Sequence, residues 1–201
     1  MEQLIKATVQ KLQTPQIQFA DVRITLSDNE SIGFINGHLR EYNNLSAAPA
    51  IGVRVLIDGC WGFAGSSKIT AQNIDKLISQ AISNARHARS FRRSPVQFPA
   101  LPATVGSYHH QPEINPFTMD RQQKMACLEG LAKAIQPQGK IVHSYLSAEF
   151  MHQEKYYANT EGSYSHTSYY NSLPTMMVVA ADAGVIQSRT WRTHECRKGR
   201  V

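Results

Sequence analysis

The stretch Ile51–Ala64, IGVRVLIDGCWGFA, constrains this chain more than any other, because fourteen residues specify a strand, a reversal and a return strand. Val53, Val55 and Ile57 alternate with Arg54 and Leu56, the period of two that marks a pleated strand with a buried face. Asp58-Gly59 tolerates positive φ at both central positions, so it closes a two-residue hairpin whose twist matches the flanking strands. Trp61 and Phe63 leave on one face, with the Trp61 indole expected to be buried. Gly62 and Ala64 thin the other face for close backbone approach. The hairpin alone carries no chemistry.

Outward from it, the periodicity alternates between helix and strand. Leu4, Ile5, Val9 and Leu12 have helical spacing over Glu2–Leu12, and Pro15 ends that helix. Extended segments follow: Phe19 to Leu26, Ser31 to Ile35 and His38 to Tyr42, with turns expected at Asp28-Asn29 and Asn36-Gly37. Thr70 is a good N-cap for a helix whose Ile74, Leu77, Ile78, Ala81, Ile82, Ala85 and Ala88 recur at steps of three and four. That stripe must bury against the sheet just built. Residues 94–116 carry five prolines and read as an extended connector. A helix from about Thr118 places Met125, Leu128, Leu131, Ala132 and Ile135 on one face, stopped by Pro137 and Gly139. Five further strands are predicted: Tyr145 to Phe150, Lys155 to Asn159, Ser163 to Tyr170, Met176 to Ala181 and Val185 to Trp191.

A shift of 125 residues sets Asn36-Gly37 on Glu161-Gly162 and Asp58-Gly59 on Ala183-Gly184 in one register. The expectation is an α+β fold in which antiparallel meander sheet is backed by amphipathic helices. It would be a duplicated helix-plus-meander unit over 1–91 and 117–191, joined by the connector 94–116.

The net charge of +6 is concentrated in two clusters, Arg86, Arg89, Arg92 and Arg93, then Arg189, Arg192, Arg197, Lys198 and Arg200. Neither interleaves aromatics or glycines as a single-strand nucleic-acid binder does, so helix-end and tail charges are the preferred reading. No apolar run approaches a membrane span, and the first ten residues lack the layout of a signal peptide. Cys60, Cys127 and Cys196 form no CxxC pair, which points to a reducing, cytoplasmic setting.

FADVRITLSDNESIGFINGHLREYN, then GVRVLIDGCWGFA, then a helix ending NARHAR resembles the N-terminal region of the TldD/PmbA family, with a weaker return at YYANTEGSYSH. Its most distinctive residues are Gly52, Val53, Arg54, Asp58, Gly59, Trp61, Gly62 and Phe63. Members were named as modulators of DNA gyrase and as microcin-maturation proteases. The resemblance implies a subunit of a cytoplasmic metallopeptidase assembly that degrades or trims unfolded peptides. In the family, zinc is held in a C-terminal domain by a His-Glu-x-x-x-His helix and a later cysteine. Here the only His-Glu pair is His194-Glu195, with Cys196 beside it and no second histidine after it. The expectation is therefore a non-catalytic N-terminal domain over 1–201, without catalytic, cofactor-binding or metal-ligating residues of its own. Zinc would sit in a C-terminal domain absent from this sequence, making the chain a fragment or truncation. The expected partners are an extended or unfolded peptide and a second subunit, either another copy or a family member, but no membrane or nucleic acid.

Other constellations yield less. His109, His110, His143 and His152 lack ligand spacing and read as surface and strand histidines, although a self-sufficient metal hydrolase would have to use them. Cys60 reads as a small buried hydrophobe and Ser66-Ser67-Lys68 as loop. Tyr145, Tyr156, Tyr157, Tyr164, Tyr169 and Tyr170 fit either a face for peptide contact or ordinary cross-strand packing. A basic module that binds nucleic acid or gyrase is the alternative function, and it rests on charge alone.

Overall fold

Pairs of residues with positive φ punctuate the chain at Asn36-Gly37, Asp58-Gly59 and Ala183-Gly184, and each reverses the backbone in two residues. The computed structural model describes residues 1–135 and 139–192. Its described elements are α1 (Glu2–Leu12), β1 (Phe19–Ile35), β2 (His38–Ile57), β3 (Cys60–Ser66) and α2 (Ala71–Ala88), with a 3-10 turn at Arg89–Phe91. They continue with β4 (Val105–His109), α3 (Arg121–Ile135), β5 (Ile141–Asn159), β6 (Tyr164–Asp182) and β7 (Val185–Arg192).

The hydrogen-bonded strand order is β3-β2-β1-β5-β6-β4, with β7 also paired to β6. The β2–β3 and β6–β7 pairs are antiparallel. Thr160 N–H donates to the Ala20 carbonyl and Asn36 N–H to the Ser144 carbonyl, which makes β1 and β5 antiparallel as well. The result is the expected α+β arrangement, and the order helix, strand, strand, strand occurs twice, as α1-β1-β2-β3 and α3-β5-β6-β7. One strand breaks the meander: β4 pairs parallel to β6, in register from Val105 with Tyr164 to His109 with Ser168. The connector expected over 94–116 therefore contains a strand, and it falls in the proline-free run 103–111 that can donate to a ladder.

Strand lengths differ most from expectation. There is no turn at Asp28-Asn29; β1 runs through it, and β2 joins His38–Tyr42 to Ile51–Ile57 in one strand. Four of the five predicted later strands are likewise two long ones, β5 and β6. Polar side chains there are engaged along and across the strands instead: Ser31 of β1 donates to Glu41 of β2 at 2.8 Å, and Asn43, on the same strand as Glu41, donates to it at 2.8 Å. Pro49 sits inside β2 without cost. By ladder alternation its nitrogen points toward the β3 side, past the last pair, Ile51 with Ser66.

Two compact units divide the chain. The first comprises residues 1–27, 48–109 and 153–168. Its core joins Ile5, Val9 and Leu12 of α1 to Val22 and Ile24 of β1, Val53 and Val55 of β2, and Ile74, Ala81 and Ala85 of α2. Thr70 caps α2 by accepting the Asn73 N–H at 3.3 Å. The second comprises residues 28–47, 110–152 and 169–201. Its core sets Ile32 and Phe34 of β1 and Leu146 and Ala148 of β5 against Leu128 and Ala132 of α3. Burial of Lys124 beside them is offset by an ion pair with Glu30, each side chain only 4% exposed.

Candidate functional site

In the first unit, strand alternation gives β1–β3 two different faces. Ala20, Val22, Val53, Val55 and Ala64 face the helices. Gly62 lies so close to α2 that a Cβ would collide with the Ala81 carbonyl and the Ala85 backbone nitrogen. Phe19, Asp21, Arg23, Arg54, Trp61 and Phe63 therefore belong to the opposite face. Trp61 is not the buried indole expected from its sequence. It is half-buried on this outer face, edge-on to Phe19 at 5.9 Å and to Phe98 at 5.6 Å. Phe63 is 61% exposed.

Asp21 is 1% exposed and anchors this face. Arg54 donates to its Oδ2 from Nε at 2.7 Å and from Nη2 at 2.5 Å, while Arg23 Nε lies 3.3 Å from Oδ1. The Arg54 guanidinium also lies 4.5 Å from the Trp61 ring centroid, and that of Arg23 is 5.6 Å from Tyr157. Two cations held on one carboxylate leave a local excess of one positive charge. Beside them a groove of about 540 Å³ runs over Gly52 and Gly65, which face each other across β2 and β3.

The turn residues Asp58 and Gly59 organise the segment after α2. Arg89 reaches Asp58 Oδ2 at 3.2 Å, Arg92 donates to the Asp58 carbonyl, and Val96 N–H donates to the Gly59 carbonyl at 2.8 Å. Pro95 packs so tightly on Gly59 that a side chain there would overlap it. This pinned segment carries Phe98 onto Phe19 at 4.4 Å. With Arg86 donating to Gln16, three of the four clustered arginines are tied into local structure.

β3 ends the strand order, so one of its edges has no strand beside it among the described residues. The two-residue turn sets Ile57 and Cys60 as a hydrogen-bonded pair, and alternation then directs the backbone groups of Trp61, Phe63 and Gly65 off the edge. Asn84 of α2 confirms that direction by donating to the Phe63 carbonyl at 2.9 Å.

The histidines divide between the units. In the first, His166 stacks on Tyr156 at 4.1 Å and meets the edge of His109 at 4.6 Å. Tyr156 donates to Glu154 at 2.8 Å; burial first, then that bond, pushes its pKa up to about 12. Burial and the nearby Glu2 also raise Tyr164. In the second, His152 stacks on Tyr170 at 4.2 Å, and His110 accepts the Tyr170 N–H at 3.3 Å. Among the described residues, no three or more His, Cys, Asp or Glu side chains converge as a metal site. The described residues therefore offer no ligand set for a zinc ion. His194-Glu195-Cys196, and the basic residues Arg197, Lys198 and Arg200, lie outside the described residues. Cys60 is buried beside its turn, as expected, and Cys127 is exposed.

The sequence reading points to the hairpin residues and misses Asp21, Arg23 and Phe98. The signal for the first two is the alternation F-A-D-V-R facing G-V-R, which places a carboxylate and two guanidiniums on one face. Phe98 gives no such signal, since its position depends on how the loop is pinned.

Over residues 20–85 this fold and hairpin match the family described as PmbA/TldA metallopeptidase domain 1. That stretch is thus similar to the first domain of TldD/PmbA proteins. The chain is similar to a metalloprotease of Methanocaldococcus jannaschii, with 24% identity over 175 residues, 87% of this chain and 38% of that protein. In structure it resembles a putative modulator of DNA gyrase from Thermotoga maritima (TM-score 0.74, 16% identity, 95% of this chain and 42% of that one). It also resembles TldE from Thermococcus kodakarensis (TM-score 0.69, 15% identity, 96% and 42%). The chain thus spans about two fifths of the length of these relatives. No described helix is long and apolar enough to cross a membrane.

Proposed function

We propose that this chain is a peptide-handling and subunit-contact domain of a TldD/PmbA-type metallopeptidase, and that it guides an extended, unfolded peptide without cleaving it. The observation that carries this reading is the β3 edge, where the hairpin turns the N–H groups of Trp61, Phe63 and Gly65 off the sheet beside an exposed Phe63 side chain, the Phe63 carbonyl being taken by Asn84. An extended peptide adds to such an edge by main-chain hydrogen bonds and gains specificity from side chains on alternate faces. Zinc and the catalytic residues then belong to a part of the enzyme outside this sequence, and the assembly acts in the cytoplasm in proteolysis or peptide maturation. A second copy or another family subunit is its partner, with β7 the suggested contact, since every residue of that strand is exposed.

The engagement of Arg86, Arg89 and Arg92 with Gln16 and Asp58 weighs against the nucleic-acid alternative, because phosphates would have to compete for those guanidiniums. Fluorescence anisotropy with an unstructured peptide and with duplex DNA across a salt series tests the choice. The peptide should bind with a shallow salt dependence; binding of DNA alone, falling steeply with salt, would reverse the assignment.

A further inference from the structure

We infer that the groove over Gly52 and Gly65 is a carboxylate-reading subsite, which takes an acidic side chain of the extended peptide. The inference rests on the peptide-binding reading above and deepens it. Three observations in the first unit support it. Asp21, 1% exposed, holds the Arg54 guanidinium on Oδ2 and has Arg23 Nε 3.3 Å from Oδ1, so the face keeps one net positive charge; Arg54 is oriented before any ligand arrives, while the Arg23 side chain is 60% exposed and reachable by one. Arg54 directs Nε and Nη2 to Asp21 and Arg23 its Nε; their other N–H groups are the donors a second carboxylate requires.

The floor of the groove is the second observation. Gly52 and Gly65 are direct partners across the hairpin, and neither lies at positive φ, so the turn geometry does not require glycine at either. Their lack of side chains lets the Phe63 ring lie directly over both as one wall of the groove: a Cβ on Gly52 would lie 3.0 Å from that ring, and one on Gly65 3.2 Å from it. Phe63 is left 61% exposed as an apolar wall. The third is direction, since the backbone of Gly65 points off the same β3 edge that would pair with the peptide. An occupant with an extended backbone, an acidic side chain and a neighbouring apolar one matches charge, space and edge together.

The probe is a pair of short, capped, unstructured peptides, fluorescently labelled and identical except for one central Glu or Gln, titrated into the wild-type chain at physiological salt. The Glu peptide should bind roughly tenfold more tightly. Arg23→Gln should abolish that preference, Arg23→Lys should restore only part of it, and Gly65→Ala should weaken both peptides by crowding Phe63. Arg93→Gln, which changes net charge equally elsewhere, should leave the preference intact. Near-ultraviolet circular dichroism of each variant establishes that the fold is retained. Equal binding of the two peptides, or loss of the preference in Arg93→Gln as well, would overturn the subsite while leaving peptide binding standing. Failure of both peptides to bind would overturn both readings.

Discussion

Gly62 shows how far one residue can determine this architecture. Its missing side chain lets α2 approach the hairpin backbone to atomic contact, and the Ala81 carbonyl and Ala85 nitrogen occupy the space a Cβ would need. Neither obstacle is a flexible side-chain end, so Gly62→Val should destabilise the chain by about 3 kcal/mol, read as a lowered urea midpoint at unchanged slope. A near-neutral result would mean that α2 can slide off the hairpin. Tyr156 gives a residue-scale prediction of a different kind. Its pKa rises from 10.0 to about 12 in the folded chain, first because burial disfavours the phenolate and then because the neutral hydroxyl donates a hydrogen bond to Glu154. A raised folded-state value means the folded chain holds the proton more tightly than the unfolded chain. Stability from this group is therefore full below pH 10.0 and is lost as pH climbs toward about 12. Tyr156→Phe should flatten that alkaline decline in thermal melts. An unchanged decline would place its origin elsewhere.

Elements were legible where local chemistry decides them. Thr70 followed by a helical apolar stripe, and Asp58-Gly59 between alternating residues, each specify their structure within a few residues. Strand length was not legible at Asp28-Asn29 or between Tyr42 and Ile51, because those polar stretches are held extended by partners on other strands rather than by their own preference. The parallel strand β4 was hidden for the same reason: its pairing to β6 joins residues nearly sixty positions apart. Of the candidate site, the hairpin was visible, whereas the grouping of Asp21 with Arg23 and Arg54 required knowing that β1 and β2 share a face. The most exacting element-level arrangement is the Lys124–Glu30 pair linking α3 to β1 in the second unit, with Lys124 also 5.0 Å from the Phe150 ring centroid. Removing one charge strands the other in a buried site. Lys124→Met or Glu30→Gln alone should cost about 3–5 kcal/mol, and the double variant Lys124→Met with Glu30→Leu should recover most of it. Chemical denaturation of all three tests this. Additive losses would show that the two charges do not depend on each other.

For the whole molecule, the central proposal is that this chain, among whose described residues no metal-ligand set converges, holds an extended peptide on the β3 strand edge. The direct test is amide hydrogen exchange, resolved by residue, with and without a saturating unstructured peptide. The account predicts that the off-edge amides of Trp61, Phe63 and Gly65 slow by at least tenfold on peptide addition. Those of Gly62 and Ala64, already paired with Val55 and Val53, should change little. Unchanged exchange at Trp61, Phe63 and Gly65 under saturating peptide, or new protection confined to the β7 amides, would contradict it.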